Sequence, residues 1–264
     1  LTTDPSTLSR KFELKWDGCT RCHLGTLRNA RTIVDVRRML SPPRIALGQV
    51  VPTPGLLFVV EPAGESEEAT GTPGTHSKYK PIHNVMAENK EIPYAITHSL
   101  ACRCCALILG ANQAPLLDKY GVQRVRDVEP QKISTDACRE RLHEEVYLRD
   151  PFLIIALGTG ALRALNPRAA DLSPGKMYPV PILGMTKVPA LTPKGVWGRK
   201  AKGQMVYPMK PNVVEYRALL GPSMRDVQTY GASEDIDREK MVLVRCLQRA
   251  LSMWKLREKI SREA

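Results

Sequence analysis

Apolar residues fall along this chain in short runs, separated by long polar stretches rich in proline. Leu56-Leu57-Phe58-Val59-Val60 and Phe152-Leu153-Ile154-Ile155-Ala156-Leu157 are continuous apolar runs closed by turns, as expected of parallel strands buried on both faces. Residues 93–102 are a further strand candidate, and 177–183 and 204–207 are weaker ones. Ser134 or Thr135 can cap a helix running to about Leu148, with Asp136 in its first turn. Gly158-Thr159-Gly160 turns into a second helix through Leu165. Leu243, Leu247, Leu251 and Trp254 recur at helical spacing, which predicts a long amphipathic helix over residues 233–262. Strands alternating with helices predict a parallel-type α/β sandwich.

The stretches between these elements have their own character. Residues 64–80 are rich in Gly, Thr and Ser without a period, the mark of a long functional loop. Residues 106–132 read as an insertion, and 189–203 as a basic loop carrying Lys194, Arg199, Lys200 and Lys202. No internal repeat is visible, so one domain over 1–264 is expected. The 264 residues suffice to bury a sizeable core. The formal net charge of +12 favours a polyanionic partner, nucleic acid being the commonest. No stretch approaches the ~18 apolar residues of a membrane span, and Leu1-Thr2-Thr3-Asp4-Pro5 lacks the features of a signal peptide. The expectation is a cytoplasmic, monomeric protein with no membrane partner.

Seven cysteines change the picture: Cys19, Cys22, Cys102, Cys104, Cys105, Cys138 and Cys246. Their odd number and clustering, without a secretory signal, argue against a disulfide framework and for metal or cluster ligation. Cys19-Thr20-Arg21-Cys22 is a C-x2-C pair. Four thiolates suit either zinc or a [4Fe–4S] cluster, and spacing does not choose between them.

The order of these motifs resembles family 4 uracil-DNA glycosylases. Cys19 to Leu24, the strand ending Ile96-Thr97-His98-Ser99-Leu100-Ala101-Cys102-Arg103, Ala137-Cys138 with Leu142, and Pro151 to Gly158 with Ala161 each match a family motif. The resemblance runs to about Tyr216. It implies a three-layer α/β/α sandwich with a central, mostly parallel sheet. It also implies a [4Fe–4S] cluster on Cys19, Cys22, Cys102 and Cys138, although Cys104 or Cys105 could replace Cys102. The sequence from Glu61-Pro62-Ala63-Gly64 through Glu67, Glu68 and Gly71 to Pro73 resembles the family's catalytic loop. Glu61 stands at its acid.

The same resemblance implies altered base reading. Gly74 stands where the family stacks a Phe, and His98 where an Asn reads the uracil edge. In Tyr207-Pro208-Met209-Lys210-Pro211-Asn212, Lys210 aligns with the His of a late His-Pro-Ser motif. His76 sits near the pocket in the same loop, while His83 has little beyond position. The implied catalytic residues are thus Glu61, His98 and Lys210. The implied base pocket is Gly64, Gly71, Pro73, Gly74, His76 and Asn212, and Arg199, Lys200 and Lys202 are the implied DNA contacts. The loss of a ring at Gly74 predicts room for a bulky base. The expected activity is hydrolytic release of a bulky, non-uracil pyrimidine from DNA, with a role against viral DNA. A uracil glycosylase, an inactive cluster-bearing DNA-binding protein and a zinc module remain as alternatives.

Overall fold

In the computed structural model the described residues are 12, 14–16, 19, 21, 44–46, 49–51, 55–64, 67, 70–100, 105–107, 110–114, 116–119, 121, 125–127, 132–189, 200–201, 204–205, 209–224 and 233–263. The elements are β1 (Arg44–Ala46), β2 (Gln49–Val51), β3 (Leu56–Val60), α1 (Lys80–Glu88), β4 (Tyr94–His98), β5 (Cys105–Leu107), β6 (Val125–Asp127), α2 (Lys132–Arg149), β7 (Leu153–Leu157), α3 (Thr159–Leu165), β8 (Met177–Pro189), β9 (Lys200–Ala201), β10 (Gln204–Met205), β11 (Met209–Gly221) and α4 (Ser233–Glu263).

The fold is α/β around a five-stranded sheet of order β4-β3-β7-β11-β8. Pairing is parallel from β4 through β3 and β7 to β11, and antiparallel between β11 and β8. β3 and β7 are buried at every position, which is why both appear as unbroken apolar runs. Strand alternation divides their side chains between two cores. Leu56, Phe58, Val60, Leu153, Ile155 and Leu157 pack with α1 and α4 residues such as Ile82, Met86, Leu247 and Trp254. Leu57, Val59, Ile154 and Ala156 pack instead with α2 and α3 residues such as Leu142, Val146 and Leu162.

Several expectations shift. α2 begins at Lys132, so Ser134 and Thr135 lie within its first turn rather than capping it. The buried face of α2 carries Arg141, Glu145 and Arg149 beside Leu142 and Val146. Its inward face therefore reads as polar in the sequence. α1 follows the loop expected over 64–80, in a stretch to which the pattern assigned no element, yet Pro81 at its first turn and Ile82, Val85 and Met86 at helical spacing are its signature. The expected insertion contributes a short antiparallel pair, β5 with β6. The basic loop contains the two-residue strand β9, which pairs antiparallel with β10 in the weaker strand candidate 204–207.

The largest omission is β11. Its early half alternates, with Val213, Glu215 and Arg217 outward and Tyr216 and Ala218 inward, and contains Pro211. Only residues 218–221 pair with β7, whereas residues 209–219 pair with β8. The two long strands thus continue past the sheet as a two-stranded arm, with a register irregularity between Pro211 and Val213. Among the described residues no helix is long and apolar enough to cross a membrane.

Candidate functional site at the carboxyl ends of the parallel strands

Parallel strands leave a crevice beyond their carboxyl ends, where α/β proteins bind ligands. Here β3 ends before Glu61, β4 ends in His98, β7 ends before Gly158, and β11 ends before Pro222-Ser223. These ends are tied together. The Gly158 amide donates to the Gly221 carbonyl (3.2 Å), and the Ser223 hydroxyl donates to Glu61 Oε1. Lys78 Nζ lies 3.7 Å from Glu61 Oε2. The Glu61 carboxylate is thus pinned between a hydroxyl and an ammonium, its side chain only 16% exposed.

The loop after β3 is organised by Glu67, which is fully buried. Its carboxylate accepts from the amides of Gly64 (3.0 Å) and His76 (3.2 Å), and its carbonyl from the amide of Gly71 (2.8 Å). Glu67 therefore fixes the loop rather than meeting a ligand. A Cβ on Gly64 would stand 3.0 Å from Glu67 Oε2, and Gly71 has φ +67°. His76 Nδ1 accepts from the Lys78 amide (3.1 Å), capping the short turn that presents Lys78. Pro73 is buried at the loop's return.

Gly74 does not provide the expected room. Its φ is +75°, and a Cβ there would lie 2.7 Å from Ile96 Cδ1. The side-chain direction points into the core beside β4, so the missing ring at Gly74 opens no space for a bulky base. The Gly74 carbonyl instead accepts from His83 Nε2 (2.8 Å), whose Nδ1 meets Tyr94 Oη (2.9 Å). His83 thus holds the loop to β4. Gly74→Ala is expected to cost roughly 2–4 kcal/mol, from the left-handed backbone and overpacking together. Chemical denaturation measures this, and an unchanged midpoint would contradict the packing.

His98 is fully buried. Nδ1 lies 2.7 Å from the Glu61 carbonyl, which can only accept, so Nδ1 carries the proton. Nε2 then presents a lone pair and finds no hydrogen-bond partner among the described residues. The Tyr79 ring packs edge-on against the imidazole, centroids 6.2 Å apart. His98 thus holds the Glu61 peptide in place, and its side chain has no exposed surface. Burial pushes its pKa down to about 4, against the smaller opposing effect of the Glu61 hydrogen bond. In the unfolded chain the group would titrate near 6.5. Between these values the unfolded state binds the extra proton, so stability rises with pH from about 4 to 6.5. The expected loss from pH 7 to pH 5 is about 2 kcal/mol from this group. Denaturant melts at the two pH values test this, and His98→Gln should flatten the difference.

Lys210 is displaced from this site. It pairs with Val188 at the opening of β11, eleven residues before Gly221. At ~3.3 Å per residue that is roughly 35 Å along the strand. The backbone of Asn212 falls at the register irregularity on the same arm. Neither backbone position stands at the Glu61 end of the sheet. At that end a Cβ on Gly221 would meet Leu157 Cδ2 at 2.7 Å. Ser223 and Lys78 are the site residues missed by the sequence reading.

The expected cysteine ligands are partly in view. Cys22, Cys102 and Cys104 lie outside the described residues, as do Glu68, Arg199 and Lys202; Lys200 lies in β9. Cys19 and Leu148 both pack against Phe12 and Trp16. The first segment docks on α2: Trp16 Nε1 donates to Glu144 Oε2 (2.9 Å), and Arg21 of the C-x2-C pair meets Glu140 (2.5 Å). Glu140 is two residues past Cys138, whose Sγ accepts from Arg141 Nε at 3.3 Å. The docking brings the Cys19 segment to the turn of α2 bearing Cys138. A sulfur accepting from a guanidinium suits a ligated thiolate. Among the described residues no group of three or more candidate metal ligands comes together.

A separate surface pocket of about 620 Å³ lies between α2 and α3, lined by Lys15, Arg139, His143 and Arg168 among others. It includes none of the residues around Glu61. Cys246 is buried in α4, 3.6 Å from the Leu220 carbonyl, as a packed thiol. The chain matches no family model and no curated protein.

Proposed function

We propose that this chain is an iron–sulfur DNA glycosylase of the uracil-DNA glycosylase type, acting on a pyrimidine other than uracil. The observation that carries the reading is the fixed, mostly buried carboxylate of Glu61 at the carboxyl end of β3, held by Ser223 and Lys78. Breaking an N-glycosidic bond places positive charge on the sugar and negative charge on the departing base. A preorganised carboxylate beside the sugar stabilises the first and orients water. In this reading Lys78 supplies positive charge near the departing base. The base must leave the stack to reach the site, at a cost of a few kcal/mol.

The three-layer α/β/α arrangement belongs to this proposal, supported by core residues on both faces of the sheet. The net charge of +12 supports DNA as partner. The non-uracil specificity rests on His98 standing where the family has its reading Asn. With Cys22 and Cys102, Cys19 and Cys138 would hold the [4Fe–4S] cluster. In this reading the cluster is structural and ties three distant segments together.

The test is mass spectrometry of bases released from unmodified, uracil-containing and viral DNA of differing base chemistry, alongside iron analysis of anaerobically purified protein. The expected result is four irons per chain and release of a modified pyrimidine with little uracil. Efficient uracil release would sink the specificity. Tight DNA binding with nothing released from any DNA would favour an inactive DNA-binding protein, and one zinc per colourless chain would replace the cluster.

A further inference from the structure

Under the sheet, beside α2, lies a buried network that the proposed chemistry does not use. Arg141 and Glu145 are each 1% exposed and Arg149 6%. Arg141 Nη1 meets Glu145 Oε2 (2.5 Å), Arg149 Nη2 meets Glu145 Oε1 (2.7 Å), and the Thr97 hydroxyl donates to Glu145 Oε2 (2.8 Å). One guanidinium in this set faces two ways. Arg141 Nε donates to Cys138 Sγ (3.3 Å), and its Nη2 donates to the carbonyl of His98.

We propose that Arg141 is a positioning residue that couples the sulfur of Cys138 to the Glu61 end of the sheet. The path is continuous: Cys138 Sγ, the Arg141 guanidinium, the His98 carbonyl, then His98 Nδ1 on the Glu61 carbonyl at 2.7 Å. A planar guanidinium donates to the sulfur, the carboxylate and the carbonyl at once from a fixed fork, which a lysine cannot do. A ligated thiolate accepts this hydrogen bond strongly, and a serine hydroxyl or oxidised sulfur does so in a different geometry. The chemical state of Cys138 thereby biases the last peptide of β4. This inference rests on Cys138 being a ligand and Glu61 the site, but its main readout needs neither activity nor substrate.

Two amides report on the coupling. The Ser99 N–H, directly after the His98 carbonyl, donates to the Val60 carbonyl (2.9 Å), and the Ala63 N–H donates to the Leu100 carbonyl (3.3 Å). Hydrogen exchange at Ser99 and Ala63 is measured in the metal-loaded full chain, in Arg141→Lys, in Cys138→Ser and in the double variant. Each single variant is expected to raise exchange at both amides about tenfold, as for losing one charge-assisted hydrogen bond. The double variant is expected to add nothing further. Arg141→Lys should also shift the reduction potential of the loaded protein, because hydrogen bonds to ligand sulfur tune it. Equal effects of Cys138→Ser in both backgrounds, or no effect at Ser99, overturn the coupling.

If Arg141→Lys does not fold, Cys138→Ser is compared with Cys19→Ser, which removes another proposed ligand but leaves the sulfur on Arg141. A several-fold larger effect at Ser99 from Cys138→Ser supports the path, and equal effects overturn it. A wild-type chain holding zinc in place of iron would defeat the cluster reading while Cys138 stays a ligated thiolate and the Ser99 comparison still decides the coupling.

Discussion

Glu61→Gln is expected to lower base release by about a thousandfold or more while leaving DNA affinity within about twofold. Removing one preorganised electrostatic group from a transition state costs typically 10²–10³ in rate. Loss of a positioned group that handles the water adds a factor of 10²–10⁴ where the two roles coincide. The amide retains the shape of the carboxylate, and its oxygen can still accept from Ser223, as Glu61 Oε1 does. Local geometry therefore survives and the charge alone is removed. Single-turnover release from a substrate duplex, with binding measured on the same duplex, separates the two effects. Release near the wild-type rate would take Glu61 out of the chemistry. A parallel loss of binding would show a folding defect instead.

Glu145→Leu is expected to destabilise the fold by about 3–5 kcal/mol, the usual consequence of removing one member of a buried ion network. Arg141 and Arg149 would lose the carboxylate they share, and the Thr97 hydroxyl its acceptor. Burial pushes the Glu145 carboxyl upward, but Arg149 and Arg141 outweigh it and hold the carboxyl below its ordinary value. Its stabilising contribution is therefore present above the ordinary carboxylate pKa and is lost as pH falls through the depressed one. For a chain of this size the midpoint of thermal unfolding should drop by roughly 10 °C. Replacing Arg141, Glu145 and Arg149 together by Met, Leu and Met should recover much of that loss, because the desolvation cost disappears with the charges. A small effect of Glu145→Leu alone would mean that water reaches the network.

What could be read in the sequence follows from how locally each signal is written. β3 and β7 are covered on both faces, so five apolar residues in a row declared them. The long helix α4 declared itself because Leu243, Leu247 and Trp254 all face one core. α2 was foreseen in extent, but its function as a bed for charges was hidden, since Arg141, Glu145 and Arg149 look like a solvated face until burial is known. β11 was lost because a strand that is half arm and half core alternates first and becomes apolar only at its end. Gly74 shows the limit of reading a residue by what it replaces: the missing side chain points at Ile96, which no local pattern records. Ser223 is invisible for another reason. Its partner lies 162 residues away, and the contact exists only because β3 and β11 end side by side around β7. Glu61 was legible because it directly follows a strand, where the chain must leave the sheet.

The arm formed by β8 and β11 has a mechanical side. β11 is one uninterrupted strand from the arm to Gly221, and Ser223, which holds Glu61, is two residues further on. Only its last four residues are clamped by β7. A strand resists stretching far better than bending, so a load along the arm arrives at its anchored end, whereas a sideways load is absorbed at the irregularity beside Asn212. A load applied at the outer end of the arm therefore pulls on a tether whose other end is the hydroxyl on the Glu61 carboxylate. The tip of the arm and that carboxylate share a single length of backbone.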